Sequence, residues 1–124
     1  MIKKHLKSYK HAKEGFFELL TIENHNFIVE LVITAVVLIL ALVFNLNSTE
    51  WIFVIFSCGF VLTTEIINTA IEAACDAIDT KPNAQIKLAK DVAASAVVMS
   101  AVTTLIVGLM IFTPKVIILI SSVR

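Results

Sequence analysis

The sequence predicts an all-α membrane protein with an N-terminal amphipathic surface helix followed by three transmembrane helices. Three observations carry this reading. The 124 residues are 58% hydrophobic and 16% charged, with three Gly and two Pro, which is too apolar for a small soluble domain. Three apolar stretches, Phe27 to Phe44, Trp51 to Thr64 and Val92 to Phe112, can with their flanks each supply the ~20 helical residues that cross a hydrocarbon core of about 30 Å. Ahead of them, apolar residues recur only every third or fourth position, the pattern of a helix lying on a surface.

That surface helix is placed at residues 1–22. Ile2, Leu6, Tyr9, Ala12, Phe16 and Leu19 mark its apolar face, and Lys3, Lys4, Lys7, Lys10 and Lys13 lie mostly on the other side. The alternative is a merely solvated basic tail, but such tails rarely keep so periodic an apolar stripe. The first span is placed at 27–45. A turn from Asn45 to Glu50 without Lys or Arg leads to the second span, 50–79, whose Trp51 suits an interfacial anchor. Its last turns are polar and extend beyond the bilayer. The third span, 87–120, follows a loop marked by Lys81, Lys87 and Lys90 and has an apolar tail beyond Pro114.

The formal net charge is zero, but its distribution is uneven. By the positive-inside rule the N-terminus and second loop are cytoplasmic, while the Asn45 to Glu50 turn and the C-terminus, despite Lys115 and Arg124, are outside. The chain is thus expected to cross its membrane several times; the bacterial cytoplasmic (inner) membrane as its location is what the family resemblance given below implies. No cleavable signal is expected, since a long charged segment comes first and no small-residue cleavage site follows a short apolar core. Without internal repeats, low-complexity tracts or a long linker, residues 1–124 are read as one domain. No nucleic-acid partner is expected.

The stretch "TTEIINTAIEAACDAID", residues 63–79, is the chemically informative one. At 100° per residue, Glu65, Asn68, Glu72, Asp76 and Asp79 fall within an arc of about 80°. With a rise of about 1.5 Å per residue, Glu65 lies about 21 Å from Trp51, Glu72 about 31 Å and Asp76 about 37 Å. The stripe therefore climbs from the hydrocarbon through the headgroups into the cytosol, where a site meets a lipid headgroup and a water-soluble molecule together. Carboxylates one turn apart with an amide between them suit Mg²⁺, which takes one or two carboxylates, several waters and substrate phosphates. Lys90 and Asp91, in "KLAKDVAAS", arrive at the same level, and a Lys there neutralises nucleotide phosphate charge that Mg²⁺ does not. The only glycines are Gly15, Gly59 and Gly108, so any phosphate transfer proceeds without a Gly-rich phosphate loop.

Polar residues in membranes also act as interhelical glue, and Asn68 and Thr69 alone would be read that way. Intramembrane carboxylates are costly and functional by default, which favours chemistry for the stripe as a whole. Asp79 is read as capping or solvating the helix end. Cys58 and Cys75 lie about 26 Å apart by helical rise, too far to bridge, and are read as buried thiols. His5, His11 and His25 have no metal-ligand spacing and are given surface roles.

"EIINTAIEAACD", followed by "KD" within "AKDVAASAV", closely resembles the small prokaryotic diacylglycerol kinase and undecaprenol kinase family, and the resemblance covers nearly the whole chain. It implies a homotrimeric inner-membrane kinase that moves the γ-phosphate of MgATP to a lipid hydroxyl, with active sites shared between subunits. Carried over by motif, Glu65 resembles the catalytic base at the lipid substrate and Glu72 a magnesium ligand. Asn68, Asp76, Lys90 and Asp91 resemble nucleotide and phosphate contacts. A further metal-binding and ATP-binding Glu of the family, spaced from Ala12 and Gly15, matches Glu23. In "ENHNF" the following aromatic is Phe27, one residue late, so either one residue is inserted with Glu23 as ligand or Asn24 fills the slot; the charge of Glu23 favours it. Lys4 and His11 on the surface helix are weaker matches near the substrates, and the loop departs from the family pattern, with Lys81, Pro82 and Asn83 where relatives often place acidic and aromatic residues and a His, so Lys81 and Asn83 are weak candidates for nucleotide contacts.

Phe27 followed three residues later by Glu30 looks more like the diacylglycerol kinases, so diacylglycerol is the expected acceptor and undecaprenol the alternative. A small proton- or cation-coupled membrane protein with Glu65 as carrier would not explain why Glu72, Asp76, Lys90 and Asp91 gather at one level. A regulatory membrane peptide would need none of them. Neighbouring subunits are expected to bury the polar stripe, contacting the third span through the small residues Ala93, Ala96, Ser100, Thr104 and Gly108.

Overall fold

The computed structural model describes residues 2–21, 25–78 and 81–122, with side chains for 5–20, 25–78 and 81–122. Among these residues the architecture is four helices: α1 (Ile2–Thr21), α2 (His25–Val43), α3 (Ser48–Ile78) and α4 (Ala84–Ser122). The last three are long and apolar enough to cross a membrane. Glu23, Asn24 and Asp79, and the side chain of Lys4, lie outside the described residues.

Local chemistry sets the ends, which differ by a few residues from those expected. After α2, Asn45 adopts φ 49°, a left-handed conformation that Asn tolerates better than most residues. The amide of Leu46 then reaches the carbonyl of Ala41 at 3.1 Å and that of Asn45 the carbonyl of Leu42 at 3.1 Å, a Schellman closure. Leu46 itself is buried against Ala41, so the turn is held by an apolar contact as well. Two residues later Asn47 opens α3 with a capping box. Its Oδ1 accepts from the amide of Glu50 at 3.0 Å, and its own amide donates to Glu50 Oε2 at 2.8 Å; such a cap is worth about 1 kcal/mol. These two motifs end α2 at Val43 and start α3 at Ser48.

α4 begins at Ala84 because Asn83 caps it, its Oδ1 accepting from the amides of Gln85 at 2.9 Å and Ile86 at 3.4 Å. With 39 residues, α4 is about 58 Å long. The 31 residues of α3 span about 46 Å. Both outrun the hydrocarbon core, and this carries the polar end of α3 and the start of α4 out of it together. α4 continues through Pro114.

α3 packs most extensively on α4 and next on α2. At the Asn45 end, Ala41, Leu46, Val54 and Cys58 form a buried cluster, with Val37, Phe44, Trp51 and Phe112 packed against it. Trp51 is thus half-buried among helices at the level where an interfacial anchor was expected. Glu50 and Lys115, both half-buried, pair at 3.0 Å and tie α3 to α4 there. Midway, the hydroxyls of Thr64 and Ser100 meet at 2.7 Å and Thr104 Oγ1 donates to the carbonyl of Ser57 at 3.3 Å.

Those contacts overturn one expectation. Ala93 and Ser100 are buried and Thr104 half-buried inside the chain, so much of the small-residue stripe of α4 serves α3 of the same subunit. The reason is that small side chains bring two backbones close enough for hydroxyls to bond across them. Large apolar side chains face outwards instead, among them Val36, Phe56, Met99 and Leu105, as suits helices surrounded by lipid. On α1, Leu19 is buried and Phe16 packs edge-on to Phe27 at 6.1 Å, whereas Leu6 and Tyr9 remain exposed. Among the described side chains of its apolar stripe, only those in the last turns are covered by the chain.

Candidate functional site

The polar stripe of α3 follows directly from its spacing, since residues three and four apart share a helical face. Glu65 is 2% exposed and Asn68 6%; Glu72 is half-buried and Asp76 exposed. Burial within the chain therefore falls along the stripe from Glu65 towards Asp76. One chain suffices to bury Glu65 and Asn68, contrary to the expectation that neighbouring subunits are needed, because α2 and α4 close on α3 at this level. Only the Glu72–Asp76 end stays open.

Asn68 Nδ2 donates to Glu72 Oε1 at 3.2 Å. Its Oδ1 is buried with no hydrogen-bond partner, a costly state for a carbonyl oxygen. An acceptor left open beside a carboxylate is what a hard cation uses, and oxygen donors of this kind fit Mg²⁺. Among the described residues no three His, Cys, Asp or Glu side chains converge. The stripe thus offers a partial oxygen shell whose remaining positions suit water and phosphate, the coordination Mg²⁺ favours. Glu72 and Asn68 are the residues that would hold it.

At the open end Lys90 of α4 donates to Asp76 Oδ1 at 2.6 Å, so the expected meeting of Lys90 with the stripe occurs. Asp91 does not join it. It pairs instead with Lys87, one turn back on α4, at 2.9 Å on an exposed face, because adjacent residues point about 100° apart around a helix. Asn83 caps α4 with its side-chain oxygen, which leaves its amide nitrogen as the side-chain group for any nucleotide contact. Lys81 is exposed in the loop. His11 is exposed and faces Glu14 at 3.5 Å, and His5 and His25 are exposed as expected. Cys58 and Cys75 are free and buried.

Across the stripe, α1 approaches α3. A cavity of about 570 Å³ lies between Ala12, Gly15, Phe16 and Leu19 of α1 and Ile66, Thr69, Ala70 and Ala73 of α3. Sequence reasoning did not place Glu30 in the site. It projects from α2, half-buried, and Glu65 lies within electrostatic reach of both Glu30 and Glu72. The signal was present, since Glu30 is the single charge between Phe27 and Phe44 and ionisable residues inside a membrane are rarely idle. The Thr64–Ser100 pair was not legible, because hydroxyls at these spacings carry no distinctive pattern.

Comparison with known proteins adds two findings. The family model for prokaryotic diacylglycerol kinase matches residues 10–112. The undecaprenol kinase of Bacillus subtilis (strain 168) is 38% identical over 109 residues, covering 88% of this chain and 88% of that protein.

Proposed function

The chain belongs to the prokaryotic diacylglycerol kinase family and is a membrane lipid kinase, and from that premise we propose that it transfers the γ-phosphate of ATP to the hydroxyl of undecaprenol. The acceptor differs from the expected diacylglycerol. That expectation rested on two positions, Phe27 and Glu30, whereas the similarity to an undecaprenol kinase runs over 109 residues. The observation that supports the chemistry is the graded stripe itself, with a carboxylate buried at Glu65 and its polar continuation reaching the Asp76–Lys90 pair.

In this reading Glu65 accepts the proton of the lipid hydroxyl as the hydroxyl oxygen bonds to the γ-phosphorus and ADP departs with the electrons of the broken P–O bond. A bound Mg²⁺ would neutralise phosphate charge. Asn68 and Glu72 would hold that ion, with Glu23, two residues beyond α1 in the sequence, as a further ligand. Lys90 supplies positive charge to the nucleotide phosphates, and Asp76 positions Lys90 through their ion pair. Asp91 is assigned to the nucleotide only with a change of partner from Lys87. The test is phosphorylation of purified lipids by the purified protein with radiolabelled ATP. Undecaprenol should be phosphorylated with a higher kcat/KM than diacylglycerol; the reverse order restores diacylglycerol as acceptor, and labelling of neither ends the reading.

ATP is a cytosolic substrate, so the Asp76–Lys90 end is assigned to the cytoplasmic face of the inner membrane, with the N-terminus inside and the C-terminus outside. In a chain with Cys58 and Cys75 replaced by Ala, Thr49→Cys should react with an impermeant thiol reagent added to intact cells with the outer face accessible. Pro82→Cys should not. Labelling in the opposite sense would turn the site away from ATP. The homotrimer implied by the resemblance belongs to the same proposal, and native mass spectrometry should register three chains per particle.

A further inference from the structure

The first turns of α4 carry two lysines, Lys87 and Lys90, with Asp91 beside them. At 100° per residue the three fall within an arc of about 100°, Lys87 lying between the other two in azimuth and about 4.5 Å nearer the start of the helix than Lys90. Lys90 reaches across to α3 and meets Asp76 at 2.6 Å. Lys87 stays on its own helix, 2.9 Å from Asp91, and the two side chains are 78% and 61% exposed. The backbone of Lys87 is held, because its amide bonds at 2.9 Å to the carbonyl of Asn83, the residue that caps α4. Its side chain alone is left to move.

Three features make Asp91 a weak partner for Lys87. Exposed ion pairs contribute little. A lysine four residues before its acidic partner is in the less favourable order along a helix. Lys87 also lies in the opening turn of α4, where the positive end of the helix dipole disfavours a cation and no acidic residue offsets it. A polyphosphate is a stronger partner than Asp91, because it offers several charged oxygens and gains from the same dipole. Lys90 comes to the phosphates already half-compensated by Asp76, and with glycines only at Gly15, Gly59 and Gly108 no Gly-rich loop supplies backbone donors. We propose that Lys87 is a second phosphate contact, whose ammonium leaves Asp91 for the β-phosphate when the nucleotide binds. The γ-phosphate has to reach towards buried Glu65, so Lys90 meets it, and Lys87, about one turn farther out, meets the next phosphate. Lys87 stays protonated throughout. The exchange frees the carboxylate of Asp91 to accept hydrogen bonds from the nucleotide's hydroxyl or amino groups.

The inference rests on the lipid kinase reading for the direction in which the nucleotide lies, and binding is measured apart from turnover so that the two can fail separately. Equilibrium binding of MgATP and of MgADP is compared for the full chain, Lys87→Ala and Lys87→Arg in detergent–lipid micelles. Lys87→Ala should weaken both nucleotides about tenfold, the scale of a hydrogen bond between charged groups. The KM for undecaprenol, kcat at saturating MgATP and the thermal midpoint should be unchanged. Lys87→Arg, which keeps the charge, should recover most of the affinity. If Lys87→Ala fails to fold, Lys87→Gln carries the same expectation. Unchanged nucleotide affinity overturns the proposal and leaves Lys87 in a surface ion pair. Loss of MgATP affinity with MgADP unaffected also overturns it, since the ammonium would then sit at the γ-phosphate, and so does a loss that Lys87→Arg does not recover. A wild-type chain that binds MgATP but phosphorylates neither lipid overturns the kinase reading, with Lys87 still decided by the binding data; one that binds no MgATP overturns both.

Discussion

Glu65→Gln should lower kcat for lipid phosphorylation by about 10²- to 10⁴-fold, the contribution typical of a positioned general base, while MgATP binds with nearly its original affinity. The substitution is isosteric. Gln fills the same buried position, 2% exposed in the native chain, and can accept a hydrogen bond from the lipid hydroxyl but cannot take its proton at neutral pH. Glu65 lies one turn deeper than Asn68 and two turns deeper than Glu72, so the residues assigned to the metal keep their environment. Turnover with undecaprenol and equilibrium binding of nucleotide, measured on the same preparation, separate the two effects. Unchanged turnover removes Glu65 from the mechanism. Equal losses of turnover and nucleotide affinity would instead place Glu65 among the metal or nucleotide contacts.

Glu72→Gln should act at the other end of the stripe. It removes a formal charge from an oxygen donor set that, among the described residues, has one carboxylate beside the open Oδ1 of Asn68. Residues that merely support metal ligands typically contribute about 10- to 100-fold in affinity, so loss of a ligand charge should raise the Mg²⁺ concentration for half-maximal activity by at least that much. The amide also leaves Asn68 Nδ2 an oxygen to bond, so the local structure is retained and thermal stability in detergent should change little. The same Mg²⁺ titration decides the alignment at the end of α1. Glu23→Gln should raise the requirement and Asn24→Ala should not; if only Asn24→Ala shifts it, Asn24 holds the position assigned to Glu23.

The site was legible in the sequence to the extent that it lies on one helix. Glu65, Asn68, Glu72 and Asp76 share a face because 100° per residue is a property of any α-helix, and the graded depth of the stripe follows from the helical rise alone. Lys90 was also within reach of the argument, since it begins the next span at the same level and opposite charges at a bilayer surface attract. Asp91 shows where that reasoning stops. It has the same depth as Lys90 but a different azimuth, and the rotation of α4 against α3, set by Ala93 and Ser100 packing inwards, turns it to Lys87.

By itself, the sequence determined that this protein is helical and membrane-embedded, that a surface helix precedes three spans, that one face of the second span is polar, and to which family the chain belongs. Each of these is written in composition, in periodicity or in residues close along the chain. Only the tertiary structure decided that Glu30 of α2 comes within electrostatic reach of Glu65 of α3, that Ser100 meets Thr64 thirty-six positions away, that Asn83 is a cap, and that one chain buries Glu65 and Asn68. The physical reason is that a helix presents every azimuth to its surroundings. Which azimuth meets which neighbour is set by the close packing of side chains from distant segments, and no single segment carries that information.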